Sequence, residues 1–170
     1  MEQSFFKAGE AVVAFAYIFL PLILGLIHAY FKKDKAQKVN ILLAYYLFIG
    51  VGIQGVVTGI LQMNQPDMVV SFVQWPYSPF LIELGMANLA LGLLGIVSVW
   101  LDNSWKLAAS VAYGLFLLFT GVGHVINIGL KGSHPGDAGA FLWSDLFVPV
   151  ALFILIALQR QCLTKNQDAQ

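Results

Sequence analysis

Four stretches of this sequence, 11–31, 41–61, 80–101 and 105–130, run for at least about twenty residues with almost no charge. That length constrains the fold more than anything else in the chain. A helix rises 1.5 Å per residue, so about 20 apolar residues cross the roughly 30 Å hydrocarbon core of a bilayer. Inside hydrocarbon the backbone has no water to bond, so each run must close its own hydrogen bonds as a helix. A fifth run, 145–159, would cover only about 22 Å. It spans if Phe141–Trp143 extend it, or if the bilayer thins there. The expectation is an all-α transmembrane bundle, one domain over 1–170, with five spans. Four spans plus a partly inserted helix is the alternative.

Composition agrees. Of 170 residues, 59% are hydrophobic and 11% charged, against about 25% charged in soluble domains. Mean hydropathy is +0.78. Net charge is zero, so nothing points to nucleic acid. The expected partners are the lipid bilayer and, given the small size, further copies of the chain or a membrane partner protein. Cys162 is the sole cysteine, which excludes an internal disulfide and a cysteine-spaced metal site. Glu2 and Glu10 precede an apolar run longer than a signal peptide's 7–15 residues, so 11–31 reads as a retained span.

Lysine placement sets the orientation. The first connection holds Lys32, Lys33, Lys35 and Lys38. If it is cytoplasmic, so are the Asp102–Ser104 turn with Lys106 and the tail with Arg160 and Lys165. That puts seven of the nine Lys and Arg inside, leaving Lys7 and Lys131 outside. The expected location is a bacterial inner membrane, N-terminus outside and C-terminus cytoplasmic. Trp100 and Trp105 flank the inner turn, and Trp75, Tyr77 and Trp143 lie near the outer ends, as interfacial aromatic belts do. The connection 62–79 is apolar enough to predict a short interfacial helix near 67–74.

Polar residues inside spans are costly and face the bundle interior or a wet cavity. In the fourth span Ser110, Tyr113, Thr120, His124, Asn127 and Lys131 share a sector of roughly 100°. Gly114 and Gly121 lie beside it and permit close helix approach. The first span has a weaker stripe of Glu10, Ala14, Tyr17, Pro21, Gly25 and His28. The second carries Gln54 and Thr58, with Gln62 at its end and a G-x-x-x-G pattern at Gly55–Gly59 that favours packing. In the third, Glu83 and Asn88 point about 140° apart. Asn88 shares a face with Gly85, Gly92 and Gly95. Gln54, Asn88 and His124 lie about 10 Å below the outer boundary, and Glu83, Asn127 and Asp145 about 0–6 Å below it. Only His28, Ser110 and Tyr113 stand out in the inner half, so the expectation is a polar pocket opening outward.

Several chemistries fit such a pocket. His124 with Glu83 and Asp145, joined by His134 from the loop, are ligand types suited to a divalent metal ion. Gln54, Asn88 and Asn127 add binding groups for a small polar ligand. Buried acid and histidine residues also suit proton relays. An acid–base pair on His124 is open too, though no nucleophile motif such as G-x-S-x-G occurs. The competing reading is a structural or accessory subunit whose polar residues only hold helices together. Individually, Asp145 is also placed to cap the fifth helix, and His28 to sit at the interface.

The run Ser78-Pro79-Phe80 into Glu83-Leu84-Gly85-Met86-Ala87-Asn88, then Gly123-His124, Asp137-Ala138-Gly139, and Asp145 with Pro149, resembles a family of small bacterial integral membrane proteins of unknown function. The match covers residues 78–150. The resemblance implies a bacterial membrane location and draws attention to Glu83, His124 and Asp145, but implies no reaction. A looser similarity to DoxX-like helical membrane proteins concerns architecture only.

Overall fold

Two aspartates set helix starts at one end of the molecule. Asp34 accepts hydrogen bonds from the backbone N–H groups of Ala36 and Gln37 at 3.3 and 3.1 Å. Asp102 does the same for Ser104 and Trp105 at 2.8 and 3.4 Å. Each satisfies N–H groups that a helix's first turn leaves without partners. In the computed structural model, which describes residues 2–73, 77–131 and 141–167, six helices follow one another. They are α1 Glu2–Tyr30, α2 Lys35–Asn64, α3 Pro66–Val73, α4 Phe80–Ser98, α5 Asn103–Lys131 and α6 Phe141–Gln167. No strand occurs among the described residues.

Five of these helices, all but α3, are long and apolar enough to cross a membrane. The last apolar stretch, Phe141–Thr164, has 24 residues, about 36 Å of helix. The helix gains four residues before Asp145 and continues past Gln159, so the partly inserted alternative is not needed. It also means that Asp145 does not cap α6: it stands in the second turn. The short helix α3 covers the region where 67–74 is expected; Gln74 lies outside the described residues, as do His134 and the Asp137–Gly139 segment.

The surface is inverted relative to a water-soluble protein. Large apolar side chains such as Ile23, Ile27, Val57, Met86, Leu93, Phe119, Phe147 and Ile154 are exposed. Polar Gln54, Gln62, Asn88, Ser110, Ser144 and Asp145 are buried. A lipid-facing bundle is expected to show that pattern. The protein is a multi-pass helical membrane protein.

Helix α2 is the hub and touches each of the other four spans. Between Tyr46 and Ile53 it winds as a π-helix, and the Gln54 N–H still bonds back to Ile49 O. The i→i+5 pattern changes the rotational phase of everything after it. Two glycine-bearing faces result. Gly50 looks toward α1 and α6: a Cβ built there would lie 3.4 Å from Tyr17 O and 3.8 Å from Val148 Cγ1. Gly52, Gly55 and Gly59 look toward α4, where Gly85, Gly92 and Gly95 meet them. A Cβ on Gly55 would be 2.8 Å from Asn88 O, one on Gly59 2.6 Å from Gly85 O, and one on Gly92 2.5 Å from Val56 N. The two backbones are therefore nearly in contact, which small residues alone permit.

The apolar core lies on the other side of α2. Leu43, Leu47 and Val51 pack with Ile18 of α1, Ala109, Tyr113 and Leu117 of α5, and Val148, Leu152 and Leu155 of α6. Tyr46 is buried here and its hydroxyl donates to Ile18 O at 3.0 Å.

Gly92→Ala is expected to destabilise the protein by about 1–3 kcal/mol, because the clash is with backbone and cannot be relieved by a rotamer change. Gly123 and Gly129 have nothing within 4 Å of such a Cβ, so Gly123→Ala and Gly129→Ala are expected to be neutral or to gain about 0.5 kcal/mol. Thermal unfolding in detergent micelles measures all three.

Candidate functional site

The buried face of α5 repeats every three or four residues: Lys106, Ser110, Tyr113, Leu117, Gly121 and His124. All but His124, which is half-buried, are buried. Gly121 lets α6 come close: a Cβ there would lie 3.3 Å from Asp145 Cβ. One turn farther on, His124 Nε2 stands 3.9 Å from Asp145 Oδ2, with side chains 13% and 11% exposed. Asp145 as a residue is 7% exposed. The separation is longer than a hydrogen bond. Tyr113, 1% exposed, lies within electrostatic reach of Asp145 and of Tyr17 from α1. Asn127 follows His124 on the same face.

Gln54 completes the surroundings from α2. It is 5% exposed, and its Oε1 has no hydrogen-bond partner. It stands one turn beyond Gly50 and so shares the face that meets Val148. Asp145 stands three residues beyond Val148 in the same direction along the bundle. Both are therefore about 5 Å past that contact, at one depth. A carboxylate, an imidazole and two phenols thus gather where α1, α5 and α6 approach, with the orphan amide oxygen of Gln54 at the same depth on the face of α2 turned toward α1 and α6.

Two expected members are placed elsewhere. Asn88 Nδ2 donates to Gln62 Oε1 at 2.9 Å in the buried seam between α2 and α4. Glu83 is exposed in the first turn of α4. The two facts are one: with Asn88 turned into the seam, a residue five positions earlier must point away. Helices α4 and α6 share no substantial interface, so Glu83 is not gathered with Asp145. Among the described residues, no three His, Cys, Asp or Glu side chains form a group that could hold a metal ion.

A second polar cluster occupies the lysine-rich end, at the mouth of the α1–α2 and α4–α5 turns. Lys106, 7% exposed, donates from Nζ to Asn40 Oδ1 at 3.1 Å. Gln159 Nε2 donates to the same oxygen and to Asn103 Oδ1, both at 3.1 Å. Asn40, Asn103 and Gln159 sit near helix ends, where polar residues are ordinary boundary markers. The available signal was Lys106 itself, four residues before Ser110 and so on the buried stripe. His28, by contrast, is exposed, its Nδ1 3.4 Å from the Tyr45 hydroxyl.

The membrane bundle so described belongs to DUF6790, a family of unknown function whose match spans residues 11–165. No curated protein and no solved structure matches the chain.

Removing either partner of the Gln62–Asn88 pair strands a buried polar atom in the glycine seam. A double-mutant cycle with Gln62→Leu and Asn88→Leu is expected to give a coupling of about 1 kcal/mol by chemical unfolding in micelles.

Proposed function

We propose that this is a bacterial inner-membrane protein, N-terminus outside and C-terminus cytoplasmic, whose His124–Asp145 pair takes up and releases protons. The orientation rests on the lysines. Lys32, Lys33, Lys35, Lys38, Lys106 and Arg160 lie at the same end, and lysine-rich connections stay cytoplasmic. The pair then opens toward the outer half of the membrane.

The observation that carries the reading is Asp145. It is a carboxyl group on a membrane-crossing helix, 7% exposed, with the His124 ring 3.9 Å away. An anion buried inside a span is costly unless it is well paired, and ionisable groups inside spans mark proton or ion pathways. A proton on Asp145 leaves both side chains neutral; a proton on His124 makes an ion pair. The 3.9 Å gap suits exchange through one water rather than a fixed bond. Tyr113 and Tyr17 are further hydroxyls on the same cluster, and the orphan oxygen of Gln54 is an acceptor for a water or the N–H or O–H of a small polar ligand.

A second reading is favoured by one observation. The Gln62–Asn88 bond spends two buried amides on holding α2 to α4, as an accessory subunit with a purely structural polar core would. Reconstitution separates the two. With a pH-sensitive dye inside liposomes and an imposed membrane potential, the wild-type protein is expected to carry protons faster than empty vesicles. Asp145→Asn should lower that rate about 10²-fold or more while the protein stays folded. Equal rates for wild type, Asp145→Asn and empty vesicles would overturn the proton reading. Loss of thermal stability in Asp145→Asn without any flux in the wild type would favour the structural one.

A further inference from the structure

We propose that the lysine-rich end of the bundle carries a phosphate-binding site built on Lys106, with Asn40, Asn103 and Gln159 around it. It is independent of the proton reading and lies at the opposite end of α5.

The hydrogen-bond directions follow from one fact: an ammonium only donates. Lys106 Nζ, 3.1 Å away, therefore fixes Asn40 with its oxygen toward the lysine. Gln159 must then turn its amino group to that oxygen, and its second N–H reaches Asn103 Oδ1. These bonds use both lone pairs of Asn40 Oδ1 and both hydrogens of Gln159 Nε2. What is left over is mostly donors: two N–H bonds of the ammonium and the amino groups of Asn40 and Asn103. The cluster is partly buried, with Lys106 and Gln159 buried, Asn40 half-buried and Asn103 exposed, and it is donor-rich and carries a positive charge.

Its counter-charge is incomplete. Lys106 forms no ion pair among the described residues. Asp102 lies within electrostatic reach, but it is exposed and its Oδ1 caps Ser104 and Trp105. The first turn of α5 adds further positive potential at the same place. A buried cation left this way is costly, and an oxyanion with several acceptor oxygens is its chemical complement.

Position selects the class of oxyanion. Trp100 and Trp105, both exposed, flank the turn beside the cluster, as aromatic residues do at headgroup depth. Exposed Lys32, Lys33 and Lys35 on the neighbouring turn and Arg160 beside Gln159 raise the local concentration of anions. Asn103 is exposed and gives the way in from solution. A phosphate group at that depth comes from an anionic lipid headgroup or from a free phosphate; the chemistry recognised is the same.

The test uses the full-length purified protein in uncharged detergent. Thermal unfolding is followed while inorganic phosphate is added at constant ionic strength, and in parallel while phosphatidylglycerol or phosphatidylcholine is added. A saturable rise in Tm with inorganic phosphate supports the site and assigns a free phosphate. A saturable rise with phosphatidylglycerol alone supports it and assigns a lipid headgroup. In either case Lys106→Arg should retain the rise. Lys106→Met should move half-saturation at least about tenfold higher, since a charge-assisted hydrogen bond is lost. Should Lys106→Met not fold, Asn103→Asp takes its place. It keeps the oxygen that Gln159 donates to and adds a negative charge to the cluster, which repels an oxyanion, so the rise should be lost in a folded protein. Lys32→Gln with Lys33→Gln should leave half-saturation within about threefold, because these lysines steer rather than bind. No saturable rise with any probe overturns the proposal. So does a half-saturation that Lys106→Met leaves within about threefold of the wild type, a rise that survives Asn103→Asp, or one abolished by the Lys32 and Lys33 substitutions.

Discussion

The near-contact of two backbones along the α2–α4 seam fixes much else in this bundle. Gly52, Gly55 and Gly59 lie against Gly85, Gly92 and Gly95 so closely that most added methyl groups would meet main-chain atoms. Lipid tails are as apolar as leucine, so helices in a membrane gain little from hiding oily surface. They associate where shape allows dense van der Waals contact and where buried amides find each other. The seam has both: the glycines, and the Gln62–Asn88 bond at its far end. Once α2 is held on that face, its opposite face, with Gly50 and Gln54, has to look at α1 and α6.

The π-helical segment makes these two duties compatible. A regular α-helix carries one phase from end to end. Between Tyr46 and Ile53 the wider turn shifts that phase. The half near Lys35 supplies Leu43, Leu47 and Asn40 to α1, α5 and α6. The half near Asn64 supplies the glycine seam. Polar groups then collect at the two ends of the α5 stripe, His124 with Asp145 at one and Lys106 with its amides at the other. Buried Tyr113, Leu117 and Val148 fill the distance between them.

The stripe on α5 was legible from residue spacing alone, because a helix repeats every 3.6 residues and polar side chains avoid lipid. So was the separation of Glu83 from Asn88. Asn88 shared its face with Gly85, Gly92 and Gly95, which marked that face for packing; what was not legible was the partner that takes Asn88 out of a pocket with His124 and Asp145. That partner is Gln62, twenty-six positions earlier. The amide cluster on Lys106 was hidden for a similar reason: its members come from α2, α5 and α6, and each alone resembles a residue at the end of a span.

The sequence by itself determined that the chain is an all-α membrane bundle of at least four spans, because run length against bilayer thickness and the need to satisfy the backbone in hydrocarbon favour helices; the full length of the fifth helix, Phe141–Thr164, came from the structure. It also determined where the charges lie along the chain. Helix rotation and neighbour choice were decided only by tertiary structure, because they depend on close packing between segments far apart in sequence. That packing put His124 beside Asp145, sent Glu83 to the surface and buried Lys106 among amides.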